Sequence, residues 1–260
     1  VGSTTRECKR LCFLGSPGGG LRSLGVPGEV LGHANEVLGR TVYELRMVGP
    51  SAPMLKTRHG IELGGVQSLA RAGSRFPDVV IVAGGSPRQP LPDGQARIAA
   101  WLRRHHARVG TIVSICTGAF ILGEAGLLDG RRATTHWLHL DGLRSRFPQA
   151  QVVDDGIFVQ DGVVWTSAGL TAGIDLTLAL VERDHGHKGA MEVAKRWVLF
   201  LRRSGNQAQF SSALQRQETE PPRLRDISAF VMEHVGEALP VERIAACGGR
   251  SPRKLCRWCR

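Results

Sequence analysis

The pentapeptide Ser114-Ile115-Cys116-Thr117-Gly118 places a thiol where an apolar run gives way to a helix-forming stretch. A sharp turn at such a junction pushes the central side chain out of the sheet, as in a nucleophile elbow. The thiol would then lie at a helix N-terminus, whose unpaired amides favour the thiolate. Backbone amides near Thr117 and at the Gly84-Gly85 turn would be placed to hold an oxyanion or a bound carboxylate. His136, within Ala133-Thr134-Thr135-His136-Trp137, is the candidate base or hydrogen-bond partner. The competing reading of these residues is a small cysteine buried for packing. Turnover would further require an oriented third group and a substrate pocket.

The elements that must position this thiol alternate in type. Residues 78–83 and 110–115 are continuous apolar runs, the pattern of parallel strands buried on both faces. Residues 11–14, 41–48 and 163–166 are also strand-like. Residues 26–39, opened by Pro27, then 94–108, 117–128, 171–184 and roughly 187–203 read as helices. Strands alternating with helices predict an α/β sandwich around a mainly parallel sheet, with ligand sites beyond the strand C-terminal ends. Gly84-Gly85 and Cys116 occupy two such ends.

Charge marks a different region. Residues 1–194 carry 21 Lys/Arg against 17 Asp/Glu, whereas residues 195–260 carry 13 against 6. That clustering suits a surface that meets phosphates, although an arginine-rich genome would also raise it. After a polar stretch at 204–222, residues 223–237 read as an amphipathic helix with Leu224, Ile227, Phe230, Val231 and Val235 on one face. Residues 240–247 and 251–259 read as two short helices around Gly248-Gly249. Ser251 is the N-cap and Pro252 the first helical residue of the second. Leu255 and Cys259 would face inward. Arg253, Lys254 and Arg257 would face out and, with Arg250 and Ser251, form the candidate DNA contact of a helix-turn-helix. A basic, solvated surface helix is the plainer alternative.

The stretch Ser114 to Trp137 (SICTGAFILGEAGLLDGRRATTHW) resembles the DJ-1/PfpI, or class I glutamine amidotransferase-like, domain at the N-terminus of a branch of AraC-family regulators. Pro27-Gly28-Glu29-Val30, Trp165 to Gly169, Thr171 to Asp175, and Phe200 to Arg203 with Gln207 to Ser211 also match that branch. The resemblance implies a flavodoxin-like sensor domain over 1–190, a helix and linker over 191–222, and a partial AraC-type helix-turn-helix over 223–260. It implies a small-molecule effector near Cys116, Thr117, Gly84, Gly85, Glu29 and His136. Glu29 would hydrogen-bond the thiol, a homodimer would form, and double-stranded DNA would be the partner of the full-length protein. The family carries two helix-turn-helices, so the chain is expected to be a truncated form of such a regulator.

The runner-up expectation is a Cys-dependent hydratase or hydrolase similar to isocyanide hydratase. Ser23 stands where those enzymes carry an acidic residue, which argues against it. Leu138 stands where an amidotransferase triad would place its carboxylate. Reversible oxidation of Cys116 is a third, weaker reading. No cofactor or metal is expected. Gly18-Gly19-Gly20 lacks the Lys-Ser/Thr of a phosphate loop, and Cys247, Cys256, Cys259 and His234 fit packing better than a zinc knuckle. His105-His106 and His185-Gly186-His187 read as solvated. The six cysteines suit reduced thiols. The absence of a signal-length apolar stretch in Val1 to Arg10 predicts a cytoplasmic, non-membrane protein.

Overall fold

The computed structural model describes residues 8–74, 76–209, 222–234 and 236–258. The chain divides into two compact units, Val1–Gln209 and Phe210–Arg260. The first begins with β1 (Lys9–Leu14), α1 (Arg22–Val37), β2 (Tyr43–Gly49), a β3–β4 hairpin (Leu55–Lys56 and Glu62–Leu63), β5 (Gln67–Ser68) and α2 (Leu69–Ser74). It continues through β6 (Val79–Val82), α3 (Asp93–His105), β7 (Thr111–Ile115), α4 (Gly118–Glu124), β8 (Arg132–Ala133) and α5 (Leu140–Arg146). β9 (Gln151–Val152), β10 (Phe158–Asp161), β11 (Val164–Ser167) and α6 (Leu170–Arg196) complete it.

Among the described residues the main sheet has seven strands in the order β10-β11-β7-β6-β1-β2-β5. Neighbours run parallel except β10, which is antiparallel to β11. The α/β sandwich expected from the alternating pattern is present. Its central strands bury both faces, because successive side chains point to opposite sides of the pleat. Val79, Ile81, Val113 and Ile115 pack with Val30 and Leu31 of α1 and with Leu176 and Leu180 of α6. Val80, Val82 and Ile112 pack with Ile98 and Leu102 of α3 and with Phe120 and Ile121 of α4. A charged cluster ties α6 to the N-terminal ends of β1 and β2, where buried Asp184 accepts hydrogen bonds from Lys9, Arg183 and the Tyr43 hydroxyl. Burial works against that carboxylate's charge, but the bonds from Arg183 and Lys9 outweigh it and hold its pKa below the ordinary value.

Two helices depart from the sequence reading. α1 begins at Arg22 and carries Pro27 inside it. The amides of Ser23, Leu24 and Gly25 bond back to Gly20 and Leu21, so a full turn forms ahead of the proline. The ring then forfeits a single intrahelical bond. α6 breaks at Gly186 (φ 80°), between the two helices expected at 171–184 and 187–203, but ends at Arg196, short of the expected 203. Its terminus is a Schellman motif, with Leu199 N–H bonded to Ala194 O and Val198 N–H to Lys195 O. The residue in the left-handed position is Val198, at φ 52°. α1 closes with the same bond pair, but there the left-handed residue is Gly39. A valine gives no stop signal in the sequence, so the helix read too long.

Residues 197–209 continue as a non-helical strap along the first unit. Arg203 donates to buried Asp175 from its backbone and its guanidinium, and Phe158 N–H donates to Gly205 O at 3.4 Å.

In the second unit α7 (Pro222–Glu233), α8 (Val241–Cys247) and α9 (Pro252–Trp258) surround a small core of Ile227, Ala245 and Leu255, flanked by Val231 and Ile244. Gly249 (φ 60°) ends α8, and a Cβ on Gly248 would lie 2.3 Å from Ile227. Both glycines of the expected turn are therefore required, one for conformation and one for space. Residues 210–221, Val235, Cys259 and the side chain of Leu224 lie outside the described residues, and with them most of the stretch read as a linker and one expected inner-face cysteine.

A left-handed β-branched residue stores strain that glycine does not. Val198→Gly is therefore expected to raise stability by about 1 kcal/mol in urea denaturation. A loss of stability would show that the exposed valine side chain matters more than its backbone strain.

Candidate functional site

Cys116 sits at the β7–α4 junction with φ 56°, a left-handed conformation rare outside glycine. Its N–H donates to Ser167 O of β11 at 2.9 Å, extending the parallel ladder by one bond. Its carbonyl accepts from the Thr135 hydroxyl at 2.9 Å. The turn is pinned from the β6 side as well, where the Thr117 hydroxyl donates to Gly85 O at 2.7 Å. A Cβ on Gly84 would lie 3.1 Å from Ile115 O and from Thr117 Oγ1, and one on Gly118 would lie 2.6 Å from Val82 O. The elbow expected from the pentapeptide is thus built by contacts with both neighbouring strands.

A cavity of about 340 Å³ opens beside it, lined by Cys116, His136, Trp137, Arg22, Ser23, Ile157, residues 168–172, Arg203 and Gln209. Cys116 and His136 are brought together as expected. Thr117, Gly84 and Gly85 stand behind the elbow and shape it, and they do not line the cavity. Glu29 is exposed on α1, two turns beyond Arg22, and is also absent from the lining. The expected glutamate–thiol hydrogen bond is not what this fold presents. Because α1 starts at Arg22, its first residues, Arg22 and Ser23, take the place beside the cavity.

Electrostatics also correct an expectation. Burial pushes the Cys116 thiol above its ordinary pKa, outweighing the hydrogen bonds of Thr117 and the positive charges of Arg22 and Arg58. The helix terminus does not prevail, because α4 has only seven residues and the sulfur is shielded from water. Burial, and then the neighbouring His139, hold His136 below its usual value, so the ring is neutral at pH 7. Its Nδ1 accepts from Leu138 N–H at 3.3 Å, leaving the proton on Nε2. In that tautomer Nε2 donates a hydrogen bond, and the ring is poorly placed to take a proton from a thiol.

Two lining residues come from the strap, a stretch that resembles the family's inter-domain segment and that the resemblance assigns no part in the site. Gln209 Nε2 donates to Thr135 O at 2.9 Å and to Thr134 Oγ1 at 3.2 Å, while its Oε1 is buried with no hydrogen-bond partner among the described residues. Arg203 presents its positive charge at the wall and is held there by Asp175. No local pattern could have announced either residue.

On the second unit, Ser251, Arg253, Lys254 and Arg257 are exposed on α9 or its entry, and Leu255 is buried, as expected. The Ser251 carbonyl accepts from Lys254 and Leu255, opening α9. Arg250 is half-buried at the turn.

The sequence profile described as "DJ-1/PfpI family" matches residues 29–183. The chain belongs to the DJ-1/PfpI family. It is 30% identical over 257 residues to the HTH-type transcriptional regulator GlxA of Rhizobium meliloti, covering 98% of this chain and 78% of GlxA. It is 41% identical over 122 residues to the HTH-type transcriptional regulator CdhR of Pseudomonas aeruginosa, covering 47% of this chain and 35% of CdhR. The isonitrile hydratase of Pseudomonas putida is 41% identical over 105 residues, covering 40% of this chain and 44% of the hydratase. The alignment with CdhR thus spans about a third of that protein. A crystal structure of an AraC family transcriptional regulator from Pseudomonas putida superposes with a TM-score of 0.64 at 24% identity, covering 73% of this chain and 99% of that one, a likeness of fold. No described helix is long and apolar enough to cross a membrane.

Because the thiol's pKa is raised, Cys116 remains protonated through neutral pH. Site-resolved iodoacetamide labelling at pH 7 should be about tenfold slower at Cys116 than at exposed Cys247 and Cys256. The Cys116 rate should keep climbing above the ordinary thiol range. Fast labelling of Cys116 at neutral pH would restore the thiolate reading.

Proposed function

We propose that the protein is a ligand-responsive, DNA-binding transcriptional regulator of the AraC type, whose DJ-1/PfpI domain senses a small molecule in the cavity beside Cys116. The observation that carries this reading is that the strap leading toward the helical unit supplies Arg203 and Gln209 to the cavity wall. A ligand that bonds Gln209 Oε1 competes with nothing already present, because that atom has no partner among the described residues. Ligand binding and the placement of the chain that continues into the second unit would therefore be linked, which is the differential interaction a switch requires. Arg250, Ser251, Arg253, Lys254 and Arg257 are the proposed DNA contacts, in a recognition helix that starts at Pro252. Cys116, Thr117, Gly84, Gly85 and His136 form or shape the effector site, and Glu29 stands apart from it. The regulator acts as a homodimer in the cytoplasm, with paired recognition helices meeting the two halves of an operator.

Similarity to isonitrile hydratase supports a second reading, in which water adds to an isonitrile carbon to give the N-substituted formamide. Ser23 in place of an acid, the protonated thiol and the donor tautomer of His136 all weigh against it. Formamide production from an alkyl isonitrile, lost in Cys116→Ala, would establish that reading instead.

Gel shifts of the full-length protein on DNA upstream of its own gene should weaken linearly in log affinity against log salt, starting from about 50 mM. Arg253→Gln and Arg257→Gln should each lower affinity. If the lost contact is to phosphate, the salt slope should become shallower by about one. A chain that fails to bind at low salt, or binds without salt dependence, would dispose of the DNA-binding role.

A further inference from the structure

A second and larger crevice, about 520 Å³, opens on the same edge of the sheet and shares no lining residue with the Cys116 cavity. It lies where the chain's connections diverge. After β1 the chain passes through α1 to β2, and after β6 it passes through α3 to β7, on opposite sides of the sheet. Such switch points form ligand crevices in open α/β sheets. The loop after β1 contributes Gly18, the loop after β6 contributes Ser86 and Arg88, and the β3–β4 hairpin contributes Lys56, Thr57 and Arg58.

These loops are held in place by specific bonds. Gly18 N–H donates to Lys56 O at 2.9 Å, Arg58 N–H to Gly19 O at 3.0 Å, and Gly20 N–H to Gly84 O at 3.2 Å. Gln95, almost fully buried in the first turn of α3, pairs through its amide with both backbone groups of Ser86 at 2.8 Å. Three cationic side chains face the crevice. Glu62 lies 3.9 Å from Lys56 in an exposed pair, and Asp93 stands in the first turn of α3. Thr57 is 4% exposed, lines the crevice, and its hydroxyl has no hydrogen-bond partner among the described residues. An orphaned buried hydroxyl is costly unless something meets it. Gly18-Gly19-Gly20 lacks the lysine and hydroxyl of a phosphate loop in sequence. The hairpin brings both to it in space.

We propose that this crevice is a second ligand site, for a phosphate group carried on a small phosphorylated metabolite or free in solution. Lys56, Arg58 and Arg88 would bind its charge, and the Thr57 hydroxyl would donate to one of its oxygens.

The test is calorimetric titration of the full chain with inorganic phosphate and with glycerol 3-phosphate, chloride holding ionic strength constant. Saturable binding is expected, weakened about tenfold or more in Arg58→Gln and Arg88→Gln. It should also weaken several-fold in Thr57→Val, which preserves shape and removes only the hydroxyl. Tighter binding of glycerol 3-phosphate points to an ester ligand, and equal binding points to free phosphate; either supports the site. Melting temperatures of the variants separate lost binding from lost folding. The site is overturned if neither probe saturates at millimolar concentration, or if binding survives both arginine variants. It is also overturned if the arginines matter while Thr57→Val, equally stable, binds as well as the parent. Gel-shift behaviour is independent of all these outcomes.

Discussion

The left-handed turn at Cys116 is the constraint on which the sensor unit is built. A non-glycine residue holds φ 56° when its surroundings leave no alternative, and here they come from three directions. β11 takes the Cys116 amide, Thr135 takes its carbonyl, and the β6 loop takes the Thr117 hydroxyl. Gly84 and Gly118 let these groups approach closely enough. The same turn ends β7, begins α4 and opens the cavity. Altering it would disturb strand pairing, helix packing and ligand site together.

The geometry of a nucleophile elbow does not make a nucleophile. The same burial that shapes the cavity keeps the thiol protonated, and the hydrogen bond that orients His136 leaves it a donor. What remains is a site well suited to recognition: a neutral thiol, an imidazole N–H, a serine hydroxyl, arginine charge and an amide oxygen unpartnered among the described residues, all around one open cavity. The strap places two of those groups at the wall. A wall that is also the route to the helical unit is a natural place for a ligand to have consequences elsewhere.

The two units differ in how they are held. The first rests on two extensive apolar layers, one on each face of the sheet. The second has three buried side chains among its described residues, with Ile227 fitted against Gly248. Its outward face is basic, which suits a partner that supplies negative charge.

Sequence by itself determined the layer architecture, because apolar runs such as 79–82 and 111–115 have no other stable use than as strands covered on both faces. It also announced the elbow, the Gly248-Gly249 turn and the outward arginines of α9, since the residue types that mark each stand within a few positions of one another, although distant segments hold the elbow and the turn in place. Tertiary structure decided the rest. Val198 ends α6 against its own backbone preference, held by bonds that no propensity reveals. Glu29 falls outside the cavity because a helix begins four residues earlier than the proline suggested, and each residue of shift turns a side chain by about 100°. Arg203, Gln209, Lys56, Thr57 and Arg58 reach their sites from segments distant in the chain. Local chemistry can announce a turn or a strand, but a binding wall is a property of which segments meet, and only the folded chain brings them together.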